Sequence, residues 1–264
     1  MTVSYSFGQV TVHATVPLAP APTTPTGRPT VVSEWRTARE LARQLAHQSR
    51  LWRTPRGSGL PVMLIPGWKT PESAMGPLTR YLQRRGHNAQ PWGLGVNTGR
   101  PERDALRMAD IIEQLSSRSG HPVALIGWSL GGIIAREVAR EHPTLVDRVI
   151  TMGTPAFGGP GFTAGARAFG PAEVTRISEM LARFDHERPI TVPITAFFTR
   201  RDAVVSWPAC LDRSSRHVSH IEVRSTHAGL VFDPDVWRLS AGVLAERTAE
   251  RLTTEPPAVN HASA

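Results

Sequence analysis

Apolar and polar residues alternate in several registers along this chain, and the order of those registers predicts its architecture. Early on, Val10, Val12, Ala14 and Val16 are spaced like a strand, but the run passes at once into Pro-Leu-Ala-Pro-Ala-Pro-Thr-Thr-Pro-Thr-Gly-Arg-Pro at 17–29. A stretch so rich in proline and small residues cannot bury a core, so residues 1–30 are expected to form a flexible tail. Ser33 and Glu34 ahead of Trp35, Leu41, Leu45 and Leu51 predict a capped amphipathic helix over 33–52, packed on the domain.

A strand and helix rhythm begins at residue 61. Pro61 to Pro66 reads as a short buried strand, 71–85 as a helix, 88–92 as a strand, 101–118 as a helix and 122–127 as a strand. Helix 130–141, strand 146–152, strands 192–199 and 218–224, and a last helix over 234–252 follow. This alternation predicts the α/β class: one domain over 31–254 with a mostly parallel central sheet flanked by helices on both faces, ending in a disordered tail over 255–264. Functional sites in such sheets form at the carboxyl ends of the strands.

One of those ends carries chemistry. Val123 to Ile126 runs into Gly127-Trp128-Ser129-Leu130-Gly131-Gly132 and then into the helix at 130. A serine on a sharp strand-to-helix turn sits in a strained conformation whose neighbours must lack side chains, which Gly127 and Gly131 satisfy. The new helix points its unpaired N–H groups and positive dipole end at the same spot. Such a serine needs a general base with a near-neutral pKa. Of ten histidines, the chain order serine, acid, histidine leaves those downstream, and His227 occupies the turn after the last strand, whereas His217 and His220 flank or lie within it. Asp202, at the carboxyl end of strand 192–199, is the expected acid; the rival stretch 153–171 contains no Asp or Glu. The amides of Leu130 and of Trp68, in the loop Pro66-Gly67-Trp68, are candidate oxyanion donors.

Residues 153–190 separate two strands by more than an ordinary connection, so 156–189 reads as a cap or lid insertion with a helix at 172–184. Trp128, Phe157 and Phe162 are candidate walls of a substrate pocket, with plain core packing as the alternative for each.

Composition narrows the function classes. The net charge is +8, yet Lys69 is the only lysine and the arginines are scattered, which argues against nucleic acid and leaves peripheral contact with anionic lipid open. Cys210 is the only cysteine, so an intramolecular disulfide and a cysteine metal cluster are excluded. No run approaches the roughly 20 apolar residues of a membrane span, and no basic segment followed by an apolar stretch opens the chain. A cytoplasmic location is the expectation; the oligomeric state is left open.

Four blocks together resemble the α/β-hydrolase superfamily, and within it small lipase or esterase-like proteins. They are Val62 to Trp68, Ile126 to Gly132, Thr151-Met152-Gly153-Thr154-Pro155, and Ser225-Thr226-His227-Ala228-Gly229-Leu230. The resemblance implies cleavage of a small-molecule acyl ester through an acyl-serine intermediate, with no cofactor and no metal, and a cap after the Gly-Thr-Pro block. Full-size members have two further strands ahead of the oxyanion loop, where this chain has the proline-rich stretch, so a shorter sheet is expected. Pro66-Gly67 stands where many relatives have His-Gly, and no acidic pair matches the calcium sites of some bacterial lipases. The scaffold also hosts acyltransferases, thioesterases and non-catalytic binding proteins, which stay as alternatives.

Overall fold

Strands that are apolar on both faces have to lie inside a sheet covered twice, and the structure uses them so. The computed structural model describes residues 4–7, 10–13, 15–25, 51, 54–57, 59–168 and 170–254. Eight strands form one sheet: β1 Ser4–Phe7, β2 Val10–His13, β3 Pro61–Ile65, β4 Asn88–Pro91, β5 Val123–Trp128, β6 Val146–Met152, β7 Ile194–Phe198 and β8 Val218–Glu222. Their spatial order is β1-β2-β8-β7-β6-β5-β3-β4. Strands β3 to β8 are parallel, and β1 and β2 are added antiparallel at the β8 edge.

The pleat sorts side chains between two cores. Val62, Leu64, Ala124 and Ile126 face one cluster, which includes Leu78 and Leu82 of α1 (Gly76–Arg84) and Val236, Ala241 and Leu244 of α5 (Pro234–Thr254). Met63, Ile65, Val123 and Leu125 face the other, with Met108, Ile112 and Leu115 of α2 (Pro101–Ser119) and Ile134, Val138 and Ala139 of α3 (Leu130–Glu141). Gly120, in the left-handed region at φ 69°, ends α2 by donating its N–H to Ser116. Asp233 caps α5 by accepting the N–H groups of Asp235 and Val236.

Two expectations are corrected. Residues 4–7 and 10–13, assigned to a flexible tail, form a hairpin, because β8 offers an open edge and a strand can be held by ladder bonds with little core of its own (Val12 opposite Ile221, His13 opposite His220). The sheet is accordingly not shortened. Residues 17–25 of the proline-rich stretch lie along the body: Ala19 packs against the Phe198, Val205, Cys210 and Leu211 cluster, Thr23 donates its N–H to Ser206 Oγ (3.2 Å), and Thr24 Oγ1 donates to the Gly161 carbonyl (2.7 Å). Of the helix expected over 33–52 only Leu51 is described, and 255–264 and Phe169 lie outside the described residues.

Between β6 and β7 the chain makes two short 3-10 turns, Gly159–Phe162 and Ala164–Ala168, and then α4 (Pro171–Glu187). The turns are stitched to the loop after β7 by Phe157 N–H to Ala209 (3.0 Å), Ala164 N–H to Val204 (2.7 Å) and Ser206 N–H to Phe162 (2.9 Å). The far end of α4 is tied to α3, where Arg140 bonds Asp185 (2.6 Å) and the Phe184 carbonyl (3.0 Å), and Arg136 pairs with Asp185 (3.2 Å) and with Asp212.

Candidate active site

Ser129 occupies the junction of β5 and α3 with φ 53° and ψ −120°, a region that costs a non-glycine residue on the order of 1–3 kcal/mol. Besides the glycines, only Lys69 among the described residues also has a positive φ. The surroundings enforce this conformation. Ser129 donates its N–H to Met152 (2.8 Å), and its carbonyl accepts the Thr154 hydroxyl (3.0 Å) and the Gly132 N–H (3.0 Å). A methyl group on Gly127 would overlap Gly131 and Gly132, and one on Gly131 would run into the Ile65 and Pro66 carbonyls, so both glycines are steric requirements of the turn. Gly132 is a third: its missing side chain leaves the space that Thr154 Oγ1 fills.

Asp202 follows β7, and His227 follows β8. With the proton on Nδ1, His227 donates to Asp202 Oδ2 at 2.7 Å. The carboxylate is wholly enclosed, and its other oxygen accepts the N–H groups of Val204 (2.8 Å) and Val205 (2.7 Å), which fix its rotation. The histidine turn is held by the Thr199 hydroxyl on the Ser225 carbonyl (2.8 Å) and by the Thr226 hydroxyl, which accepts the Gly229 N–H (3.0 Å). Gly153, at φ 57°, backs the pair; a methyl group there would meet His227 Nδ1 at 3.0 Å and Asp202 Oδ2 at 3.2 Å.

Trp128 joins this pair to the serine. Its indole N–H donates to the His227 carbonyl (3.1 Å), and its ring lies 5.6 Å from the imidazole. On the opposite side the loop after β3 passes over the elbow, where a methyl on Gly67 would touch Trp128 at 3.1 Å and Ser129 Cβ at 3.4 Å. Trp68 is half-buried; its ring fills the space beside Gly99 and Gly165, with Lys69 Nζ 4.5 Å above it. Leu130 opens α3, so its N–H belongs to the unpaired first turn. Phe157 and Phe162 stack at 5.9 Å, with Arg213 over the face of Phe157, which is 42 % exposed.

Of the rival histidines, His217 is exposed at the amino end of β8, away from the carboxyl ends of the strands. His220 Nε2 accepts the Asp212 N–H (3.1 Å), and burial brings its pKa down to about 4. Cys210 is buried, and burial together with nearby Asp202 pushes its thiol well up, which keeps it protonated. Among the described residues no three His, Cys, Asp or Glu side chains group as metal ligands, and no helix is long and apolar enough to cross a membrane.

Three contributors are absent from the sequence reading: Thr154, Gly153 as a backing surface, and Asn97, a fully buried amide beside the 66–70 loop. The Gly-Thr-Pro block was a signal for the first two, although its spacing to the serine says nothing of contact. A lone asparagine in a Gly-rich loop offered none.

An imidazole held by a carboxylate can take a proton from a hydroxyl, and the N-terminus of a helix that begins at a serine can stabilise an anion. Residues 89–232 match the alpha/beta hydrolase fold family. The pimeloyl-[acyl-carrier protein] methyl ester esterase of Aliivibrio salmonicida is 28 % identical over 155 residues, covering 57 % of this chain and 54 % of its own. The chain thus spans about half the length of that relative. Among solved structures, Est1E from Butyrivibrio proteoclasticus, with ferulic acid bound, superposes with a TM-score of 0.56 at 13 % identity, over 74 % of this chain and 91 % of that one. Aspergillus fumigatus lipase B gives 0.54 at 19 %, over 72 % and 54 %. These two likenesses speak for the fold.

Proposed function

The chain belongs to the alpha/beta hydrolase fold family, and on that premise we propose that it hydrolyses carboxylic esters through an acyl-serine intermediate. The observation that carries the proposal is the 2.7 Å contact of His227 Nδ1 with an enclosed Asp202 carboxylate, with Trp128 linking that histidine to the strained Ser129.

In this reading Ser129 Oγ attacks the acyl carbon while His227 Nε2 takes its proton, and the charge on the imidazolium is stabilised by Asp202. The oxygen that becomes negative is held by the amides of Leu130 and Trp68, each worth about 3 kcal/mol of barrier in sites of this kind. His227 returns the proton to the leaving alcohol, and water, deprotonated by the same histidine, cleaves the acyl-serine. No step needs a cofactor. Trp128, against His227, and the Phe157–Phe162 stack supply apolar surface for the acyl chain. The methyl ester esterase activity of the Aliivibrio salmonicida relative supports a small-alcohol ester over a thioester or an acyl acceptor.

The test is hydrolysis of a panel of short and medium acyl esters by wild-type and Ser129→Ala protein, with fluorophosphonate labelling followed by peptide mapping. Loss of turnover with the adduct on Ser129 is expected. Unchanged turnover in Ser129→Ala overturns the proposal, and no adduct alongside no turnover favours a binding protein.

A further inference from the structure

The peptide bond between Gly67 and Trp68 is planar and trans, so its N–H points opposite to its C=O. The Gly67 carbonyl is pinned by Thr70, whose hydroxyl (2.6 Å) and N–H (3.2 Å) both donate to it. The two neighbouring peptide units are held by a single residue outside the loop. Asn97 Nδ2 donates to the Pro66 carbonyl (2.8 Å), on one side, and the Asn97 carbonyl accepts the Lys69 N–H (2.8 Å), on the other. Its own N–H reaches the Thr70 carbonyl (3.1 Å), and its Oδ1 accepts the Gly99 N–H (3.0 Å), which bends the chain so that Gly99 meets the Trp68 indole. Asn97 is fully buried, so none of these bonds is exchanged for water at low cost.

We propose that Asn97 is a positioning residue for the oxyanion hole: it sets the direction of the Trp68 N–H by clamping the peptide units on both sides of it. This rests on the hydrolase reading above. Asn97 touches no reacting atom. Its effect passes through the loop, and it is greatest where negative charge develops, because a fixed donor is aimed at the transition-state oxygen and contributes less to the neutral ester.

The experiment compares Asn97→Ala with wild type in ester turnover and in binding two inhibitors. One is a trifluoromethyl ketone, which adds Ser129 Oγ to its carbonyl carbon, passes the proton to His227 and leaves an anionic oxygen in the hole. The other is the ether analogue of the ester, which forms no bond and bears no charge. Loss of aim by the loop is expected to lower kcat by roughly 10- to 100-fold, with KM within about threefold. The ketone Ki should rise in proportion, while the ether Ki stays put. If Asn97→Ala does not fold, the neutral Asn97→Ser, whose hydroxyl can still accept the Gly99 N–H but is too short to donate to the Pro66 carbonyl, is read the same way. A folded variant with unchanged kcat and ketone Ki overturns the proposal, as does an equal loss for both inhibitors, the mark of a purely structural role. Ser129→Ala, assayed alongside, separates the two claims: full activity there defeats the hydrolase reading itself, whereas an inactive Ser129→Ala beside a fully active Asn97→Ala defeats only the role of Asn97.

Discussion

Replacing Asp202 by asparagine changes one atom, and the structure says which bonds survive. Oδ1 can still accept the Val204 and Val205 N–H groups, so the loop stays anchored and the fold should lose about 1 kcal/mol or less. The atom facing His227 Nδ1 becomes an NH₂ group, which donates rather than accepts and so selects the imidazole tautomer with its proton on Nε2. That tautomer cannot take the serine proton, and the imidazolium loses its enclosed counter-charge. A drop in kcat of roughly 10⁴-fold is expected, about 5.4 kcal/mol of barrier, by analogy with serine-protease triads. Asp202→Ala should be as inactive but also less stable, since it leaves two backbone donors without their acceptor at about 1–3 kcal/mol each. Steady-state ester hydrolysis with thermal unfolding of both variants provides the assay. An Asp202→Asn protein that keeps more than a tenth of wild-type kcat refutes the role assigned to the carboxylate, and so does a loss of activity that merely follows a loss of folded protein.

Three further outcomes are expected. Burial and then Arg85 hold the His87 pKa at about 4, below its value of 6.5 in an unfolded chain; the unfolded state therefore takes up the proton first, and stability present above pH 6.5 is lost as pH falls towards 4. His87→Leu should make that part of the Tm-against-pH curve shallower, with His220, also held at about 4, contributing to the slope that remains, and an unchanged slope would count against this assignment. Arg136→Ala strands the buried Asp212 carboxylate and weakens the hold on Asp185, so it should cost about 3–5 kcal/mol in urea unfolding, while an Arg136→Met, Asp212→Asn double variant costs markedly less; equal losses would contradict this. Because the 156–168 turns are bonded to the loop after β7 and α4 is tied to α3, the insertion should act as a fixed wall. Hydrolysis rate should then rise smoothly through the solubility limit of a water-insoluble ester, and an abrupt jump at that limit would show a mobile lid instead.

The elements that could be read from the chain were those whose cause is local. Buried strands such as Val62 to Ile65, helix faces such as Met108, Ile112 and Leu115, and the Gly127–Gly131 elbow each follow from spacing or steric rules within a few residues. The order of serine, acid and histidine placed three loops at strand ends, and the sheet then gathers parallel strand ends on one side. The pairing of β1 with β2 is not legible in the chain even though Val10 and Val12 alternate, because whether a short strand persists depends on an unpaired edge elsewhere, here that of β8.

Sequence alone therefore determined the fold class, the strained serine and the residues competing to serve it. Only the tertiary structure decided that Asp202 meets His227, that Thr154 pins the elbow, and that Asn97 holds the opposite loop. Those contacts join residues 25 to 31 positions apart. Their geometry depends on register and on which loops the sheet brings side by side, and neither is written in the spacing of apolar residues.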